Sequence, residues 1–228
     1  MTTIPYRIRR SPRARHARIV VDGGGVEVVV PNGFALRKVE PFVNEKRPWI
    51  ERTLRRLSES AAEVGTASVE DGGEVPYLGE RLLLRVSSDP GRTRDWVSRR
   101  SDELHVAVSG GPGSAREAIE RWYRRRAREE VTPRLDAAAA RAGVSYASLQ
   151  IRGQRTRWAS CSSSGAMSFN WRLLLAPPEI LDYVVEHEVA HLSVLDHSDR
   201  FWSLLASRCD DWRERERWLR RHGHALHL

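Results

Sequence analysis

The sequence lacks the features that stabilise small secreted proteins or anchor proteins in membranes. Its two cysteines, Cys161 and Cys209, are too few for a disulfide framework and do not have the paired spacing of a cysteine zinc site. No run of about 18 apolar residues occurs, so we expect no membrane span. Residues 1–7 contain no apolar signal core. These absences favour a cytoplasmic protein with reduced thiols.

Lysine is also scarce, because only Lys38 and Lys46 are lysines among the 38 basic residues of a chain with a formal net charge of +8. A basic excess raises the possibility of nucleic-acid association. Five arginines lie within residues 121–128. Apolar and acidic residues are interleaved with them at helical spacing, which is more typical of a solvated helix face. Nucleic-acid association therefore stays an open expectation.

The most specific pattern present is His187-Glu188-Val189-Ala190-His191. On a helix, residues four apart share a face, so both imidazoles can converge on one Zn²⁺. Pro177-Pro178 precedes the segment and most of its other residues are apolar, which predicts a buried helix. Two histidines and a carboxylate on so apolar a helix need a partner. We predict a site for one zinc ion per chain, with Glu188 beside its open position.

A catalytic zinc site usually has three protein ligands, and the next histidine downstream is His197. It lies six residues beyond His191, so it can reach the metal only if the helix ends between them. Ser198 is a plausible N-cap for a new helix and so supports such a break. Glu214 and Glu216, on a later segment, are the alternative third ligands.

This site predicts metal-assisted hydrolysis of an amide bond. Zinc lowers the pKa of water toward about 7, and Glu188 can accept the proton and return it to a leaving amine. A zinc-dependent metallopeptidase acting on a peptide or protein substrate is the first hypothesis. A metal-dependent amidohydrolase with a non-peptide substrate, or a nucleic-acid-associated protein whose zinc is structural, is the alternative. The sequence does not set the substrate or the oligomeric state.

Four motifs stand out in the second half of the chain. They are Arg157-Trp158-Ala159-Ser160-Cys161-Ser162, Phe169-Asn170-Trp171-Arg172-Leu173 with Ala176-Pro177, the His-Glu-x-x-His segment, and His197-Ser198-x-x-Phe201-Trp202. Together they resemble the YgjP-like metallopeptidase family, a group of predicted bacterial zinc-dependent hydrolases similar in core to the SprT-like and WLM zincins. The resemblance implies an α+β, zincin-like core, His187, His191 and His197 as metal ligands, and Glu188 as the catalytic residue. The family usually has glycine where this chain has Ala159.

Periodicity and turn signals predict a strand-rich domain over residues 1–112 and a zincin-like metallopeptidase domain over 113–228. Residues 110–113 are the predicted linker. Residues 167–174 are the candidate edge strand for docking a substrate backbone. The predicted strands are 17–21, 26–30, 75–79, 81–86, 104–108, 148–152 and 166–175, with a polar loop over 156–165; the predicted helices are 36–57 and 115–142, the second with a kink or break at Pro133.

Other residues whose side chains could take part in chemistry have a simpler structural interpretation. Cys161 lacks an assigned base partner, which favours a structural thiol. Asp182 or Asp196 is a candidate for orienting a metal-binding imidazole. His222, His224 and His227 form a C-terminal group predicted to bind metal adventitiously. Trp158 and Trp171 are predicted to be buried core aromatics.

Overall fold

The computed structural model describes residues 4–22, 25–65, 67–91, 93–109, 114–154 and 156–228. The chain is a mixture of helices and small sheets, and it divides into two compact units, Met1–Glu63 and Val64–Leu228. None of the helices in the described ranges combines the length and the apolar character needed to cross a bilayer.

The first unit is built on a three-stranded sheet. Its strands are β1 (Tyr6–Arg10), β2 (Arg18–Asp22) and β3 (Gly25–Val30), in the order β1-β3-β2. The predicted hairpin is confirmed, since β2 and β3 pair antiparallel, although Gly23 and Gly24 of its turn lie outside the described residues. Strand β1, which the sequence analysis did not predict, pairs parallel with β3.

The predicted helix over residues 36–57 is interrupted. A 3₁₀ turn, Leu36–Lys38, leads into α1 (Val39–Glu45), and α2 (Arg47–Val64) begins after Lys46. Pro48 explains the interruption, because its ring has no N–H and clashes with the carbonyl four residues earlier in a continuous helix. The inward faces of the sheet and helices enclose a separate small core that includes Val28, Val30, Val43 and Ile50.

The second unit begins with a four-stranded sheet. Its strands are β4 (Glu74–Tyr77), β5 (Glu80–Ser88), β6 (Trp96–Arg100) and β7 (Glu103–Val108), in the order β4-β5-β7-β6. The predicted strands correspond to β4, β5 and β7, whereas β6 was not predicted. Helix α3 (Ser114–Ala142) packs on this sheet, and Pro133 lies inside a single continuous helix.

The two compact units divide at a different position from the predicted domain boundary. The predicted boundary at 112–113 falls on residues outside those described, and the compact units divide at Glu63. The physical reason is that the sheet and α3 share one apolar core, to which Leu82, Leu104 and Ile119 belong. The Tyr77 hydroxyl also donates a hydrogen bond to a Glu130 carboxylate oxygen at 2.9 Å.

A second small sheet and three helices complete this unit. The strands are β8 (Ser148–Arg152), β9 (Ala159–Cys161) and β10 (Ala166–Asn170), and the helices are α4 (Pro178–His191), α5 (Asp199–Ala206) and α6 (Trp212–His222). The predicted strand 166–175 ends early and continues as a 3₁₀ turn, Trp171–Leu175. The Asn170 side chain begins that turn by accepting a hydrogen bond from the Arg172 amide at 3.2 Å.

The strand order β8-β10-β9 corrects one prediction. Strand β10 pairs with both neighbours, so the proposed edge strand over 167–174 was wrong. The edges of this sheet are β8 and β9, and β9 lies inside the predicted polar loop 156–165. Three residues are too short a strand to produce a readable alternation of apolar and polar positions.

A tight turn positions the start of α4. Leu78 (φ 47°) and Gly79 (φ 85°) both have left-handed backbone conformations, between β4 and β5. The Leu78 amide donates to the Leu174 carbonyl at 2.7 Å. A Cβ on Gly79 would lie 3.3 Å from Cδ of Pro178, the first residue of α4. The turn therefore requires glycine both for its conformation and for its approach to the helix.

Candidate metal centre

Helix α4 and the loop that follows it bring three histidines together. His187 and His191 lie one turn apart, and the helix ends at His191, as predicted. The chain then turns back, so that ring nitrogens of His187, His191 and His197 all lie within 4.8 Å of one another. The Nε2 atoms of His187 and His197 are 3.1 Å apart. Two ligands of a tetrahedral zinc site lie about 3.3 Å apart, so this separation suits a shared cation.

The break between His191 and His197 is present, with one difference from the expected capping. Ser198 precedes α5 as its N-cap residue, but its side chain makes no capping hydrogen bond. The turn is instead fastened by Asp196, whose carboxylate accepts a hydrogen bond from the Ser198 amide at 3.1 Å.

The alternative glutamates do not join this group. In the described ranges, the residues whose donor atoms converge for a metal are the three histidines. The Glu216 carboxylate pairs with Arg220 at 2.7 Å, and Glu214 lies in the first turn of α6 with an exposed side chain. The geometry therefore favours His197 as the third ligand.

A backbone carbonyl, rather than either predicted aspartate, orients the His191 ring. Its Nδ1 lies 3.0 Å from the Val194 carbonyl oxygen, which can only accept a hydrogen bond. That bond fixes the proton on Nδ1 and leaves Nε2 free to bind a metal. Asp182 instead pairs with Arg134 at 2.9 Å, and Asp196 accepts from Ser198.

The protonation of the histidines also suits a metal. Burial, and then the neighbouring His191 and His197, lowers the pKa of His187 to about 3. Burial likewise lowers the pKa of His191. Because a metal binds the neutral imidazole, these two rings are in the ligand form at neutral pH without having to lose a proton.

Aromatic side chains of α5 hold the imidazole rings. Phe201 is fully buried and stacks on His191, with ring centroids 4.5 Å apart and planes 27° apart. Trp202 lies 5.5 Å from the His197 ring and stacks on Trp212 at 4.5 Å. The sequence analysis included Phe201 and Trp202 only through the family resemblance. Their positions were the available signal, since four and five residues after His197 they fall in the first turn of the helix that begins at Asp199.

Glu188 is a buried carboxylate beside this cluster. The residue is 5% exposed, and its Oε2 has no hydrogen-bond partner. Burial raises the pKa of this carboxyl to about 8. A buried carboxylate oxygen without a partner is rare in proteins and requires an explanation. Together with three converging ring nitrogens, it fits a site that binds a cation and a polar ligand.

The edge strand β9 packs against α4, the helix that carries Glu188. Burial, and then the charge of Glu188, raises the pKa of the half-buried Cys161 thiol. A raised pKa makes a thiol less reactive at neutral pH, in agreement with the structural role predicted for this cysteine.

Among the described residues, one side of β9 is paired with no other strand. The Trp158 carbonyl accepts from the Asn170 amide at 2.7 Å, and the Ser162 amide donates to the Ala166 carbonyl at 3.0 Å. In an antiparallel pair, alternate residues direct both backbone groups to the partner strand. The N–H and C=O groups of Ala159 and Cys161 therefore point away from β10, toward the open edge.

Comparison with protein families agrees with these observations. The model of the YgjP-like family, metallopeptidase domain, matches residues 15–222. The chain belongs to this family. The resemblance drawn from the sequence motifs is thus confirmed, and a metallopeptidase-family domain with a three-histidine cluster implies a bound metal.

Other comparisons are less extensive for this YgjP-like chain. This chain is similar to the crystal structure of the metallopeptidase zymogen of Pyrococcus abyssi abylysin, with 24% sequence identity and a TM-score of 0.33. The similarity covers 38% of this chain and 90% of the abylysin chain. A similarity of this extent does not define the fold or activity of the chain. A search of curated proteins gave no match.

The C-terminal histidines do not form a free tail. His222 is 5% exposed, with Nδ1 2.9 Å from the Trp218 carbonyl, and Leu226 and Leu228 are buried in the core of the second unit. Trp158 packs over Gly223, where an added Cβ would lie 2.7 Å from the indole. Packing of the adjacent leucines therefore anchors this segment, and adventitious metal binding by its histidines stays a prediction.

Proposed function

We propose that the protein is a zinc-dependent metallopeptidase that uses Glu188 as its general base. The observation that carries this proposal is the position of a buried carboxylate without a partner beside three converging imidazoles, in a chain of a metallopeptidase family. A zincin-like arrangement of helix, small sheet and metal-binding helix is part of the proposal. The free cysteines favour a reducing, cytoplasmic location.

His187, His191 and His197 are the proposed metal ligands. Three protein ligands leave a fourth tetrahedral position for water or substrate, which distinguishes a catalytic zinc site from a closed structural one. When bound, zinc would supply Lewis acidity that polarises the scissile carbonyl and makes water acidic near neutral pH. The Val194 carbonyl and the Phe201 ring keep His191 in the orientation for binding.

Glu188 performs the proton transfers. Its carboxylate accepts a proton from the attacking water as the water oxygen bonds to the carbonyl carbon. It then donates that proton to the amide nitrogen as the C–N bond breaks, giving a carboxylic acid and an amine. A cation bound by the three neutral histidines would favour the ionised form of Glu188, because a nearby opposite charge lowers a carboxyl pKa. Burial alone acts in the other direction.

The open edge of β9 is the proposed docking strand for the substrate backbone. Ala159 and Cys161 direct their backbone groups to this edge, and the strand packs against α4, the helix that carries Glu188. An extended peptide could pair with these groups, so that recognition depends on backbone hydrogen bonds rather than on a particular side chain. This geometry favours a peptide over a compact non-peptide amide.

Metal content is the first test, and it requires the full chain because Leu226 and Leu228 are part of the core. We expect one zinc per chain in the wild type, and strongly reduced zinc in His191→Ala and in His197→Ala. The control is the double variant His16→Ala/His227→Ala, which removes two exposed histidines outside the cluster and should keep its zinc. Zinc that survives in His197→Ala would remove that residue from the ligand set.

Peptide cleavage is the second test. A mixture of peptides is incubated with the zinc-loaded protein, and new termini are identified by mass spectrometry. Glu188→Gln should bind zinc as the wild type does and lose about 10²- to 10⁴-fold in cleavage rate, the usual contribution of general acid–base catalysis. Full activity in Glu188→Gln would refute its role, and no cleavage by the zinc-loaded wild type would count against a peptide substrate.

A further inference from the structure

The positive charge of the chain is concentrated at its beginning. Residues 1–21 contain six arginines and no acidic residue. The remaining residues hold 32 basic and 30 acidic side chains, so this short segment accounts for +6 of the net +8. The excess therefore belongs to the first compact unit and not to the arginine run that the sequence analysis considered.

The run over residues 121–128 is largely neutralised by its own surroundings. Arg121 pairs with Asp95, Arg124 with Glu120, and Arg126 with Glu129. These contacts support the interpretation of α3 as an ordinary solvated helix face, and they direct attention to the first unit.

Strand register places the N-terminal arginines on one face of the first sheet. Side chains alternate along a strand, and Val26, Val28 and Val30 of β3 face the core. Arg7 and Arg9 of β1 and Arg18 of β2 are paired in register with Glu27 or Val29, on the opposite face. The loop between β1 and β2 carries two more exposed arginines, Arg13 and Arg15. We call these five exposed residues the arginine surface: Arg7, Arg9, Arg13, Arg15 and Arg18.

Two acidic residues, Glu27 of β3 and Asp22 of β2, lie on the same face by strand register. Glu27 pairs with Arg9 at 2.9 Å, and because the Arg9 side chain is 50% exposed and that of Glu27 30% exposed, the pair is screened by solvent and contributes little. Among the described residues, Arg13, Arg15 and Arg18 have no acidic partner. Three guanidinium groups are thus available to an external anion.

We propose that the arginine surface binds the phosphodiester backbone of nucleic acid. A planar guanidinium can donate two parallel hydrogen bonds to a phosphate. The strands fix the backbone positions of the arginines that they carry. Neighbouring arginines are about 6.7 Å apart along β1 and about 9.6 Å apart across the sheet. Such an array matches an extended polyanion better than a single small anion. It has no element that enters a groove, so binding is independent of base sequence.

The same face argues against a membrane as the partner. Binding to a bilayer surface normally combines basic residues with apolar side chains that insert. Of the apolar residues on this face, Val29 is fully buried and Val20 is half-buried. Ile8 is exposed, but its position in β1 places it on the opposite face from Arg7 and Arg9. The proposal is independent of the peptidase activity and would bring the protein to substrates bound to nucleic acid.

Salt-dependent binding of the full chain to a labelled DNA duplex, and to an RNA of the same length, tests the proposal by fluorescence anisotropy. Each phosphate neutralised contributes about 0.9 to the slope of log affinity against log salt on duplex DNA, so the three arginines without an acidic partner predict a slope of about −2.7. Raising salt fourfold should then weaken wild-type binding about 40-fold, but should weaken the binding of Arg13→Ala/Arg15→Ala/Arg18→Ala only slightly. The corresponding triple lysine variant keeps the charge and should keep the steep slope.

The matched control removes the same charge from the second unit. Arg100→Ala/Arg125→Ala/Arg217→Ala replaces three exposed arginines outside the surface and should retain the wild-type slope. Equal losses in both triple variants would show a net-charge effect and overturn the proposal. Absence of binding at low salt, an unchanged slope in the arginine-surface variant, or binding to vesicles of anionic lipid but not to nucleic acid would overturn it as well.

Discussion

Replacing Phe201 with leucine tests whether its ring increases metal affinity by orienting the histidines, in addition to filling the core. Phe201 is fully buried, and its ring centroid lies 4.5 Å from His191, 4.8 Å from His197 and 4.9 Å from His187. Leucine keeps the site apolar but removes the flat surface on which His191 stacks. The three imidazoles should then sample wider orientations.

Two magnitudes follow. The free energy of unfolding of the metal-free protein should fall by about 1–2 kcal/mol, because a buried ring is replaced by a smaller side chain. Zinc affinity should fall by about 10- to 100-fold, which is typical when a residue that orients a metal ligand is changed. The first quantity comes from urea unfolding in the presence of a chelator, and the second from competition with a chromophoric chelator.

Phe169→Leu is the matched control. Phe169 is also fully buried, at 1% exposure, but in the described residues its ring contacts none of the three histidines. It should lose comparable stability and keep the wild-type zinc affinity. If the two variants lose zinc affinity equally, or if neither does, Phe201 contributes only to packing and the orientation argument is refuted.

Two further predictions concern packing around the site. Gly223→Ala should lower the free energy of unfolding by about 1–3 kcal/mol, because the new Cβ would lie 2.7 Å from the Trp158 indole. Gly33→Ala, whose new Cβ would have open space around it, should change the free energy of unfolding little. Equal urea midpoints for the two variants would contradict this reasoning. Cys209 is 6% exposed, and burial followed by its hydrogen bond to Asp211 raises the pKa of its thiol to about 11, so it should react with a disulfide reagent at pH 8 only after unfolding. Rapid labelling of Cys209 in the native protein would show that the C-terminal packing opens.

The metal-binding helix could be predicted from the sequence because its signals are local. Pro178 at its first turn, the apolar residues and the spacing of His187 and His191 all depend on neighbouring positions, and the helix spans Pro178–His191 as expected. The turn that returns His197 was predictable for the same reason, since one helix cannot present residues six apart on one face.

The features that the sequence did not predict depend on distant contacts. Strands β1, β6 and β9 are all short edge strands, and β1 pairs with residues 26–30 rather than with the next strand along the chain. Residues 110–113 have the composition of a linker, yet the sheet before them and the helix after them share one core. The carbonyl that orients His191 could not be identified either, because backbone acceptors carry no residue-type signal.

The position of the basic charge shows how sequence and structure answer different questions. Charge density along the chain drew attention to residues 121–128, where arginines are most crowded. Crowding in sequence does not measure exposed charge, because a helix places residues three or four apart beside each other and so pairs Arg124 with Glu120. Arg9 and Arg18 are nine residues apart, yet the register of β1, β3 and β2 places both beside Val29. A charged surface must therefore be found from strand pairing and from the absence of acidic neighbours, rather than from a count of arginines.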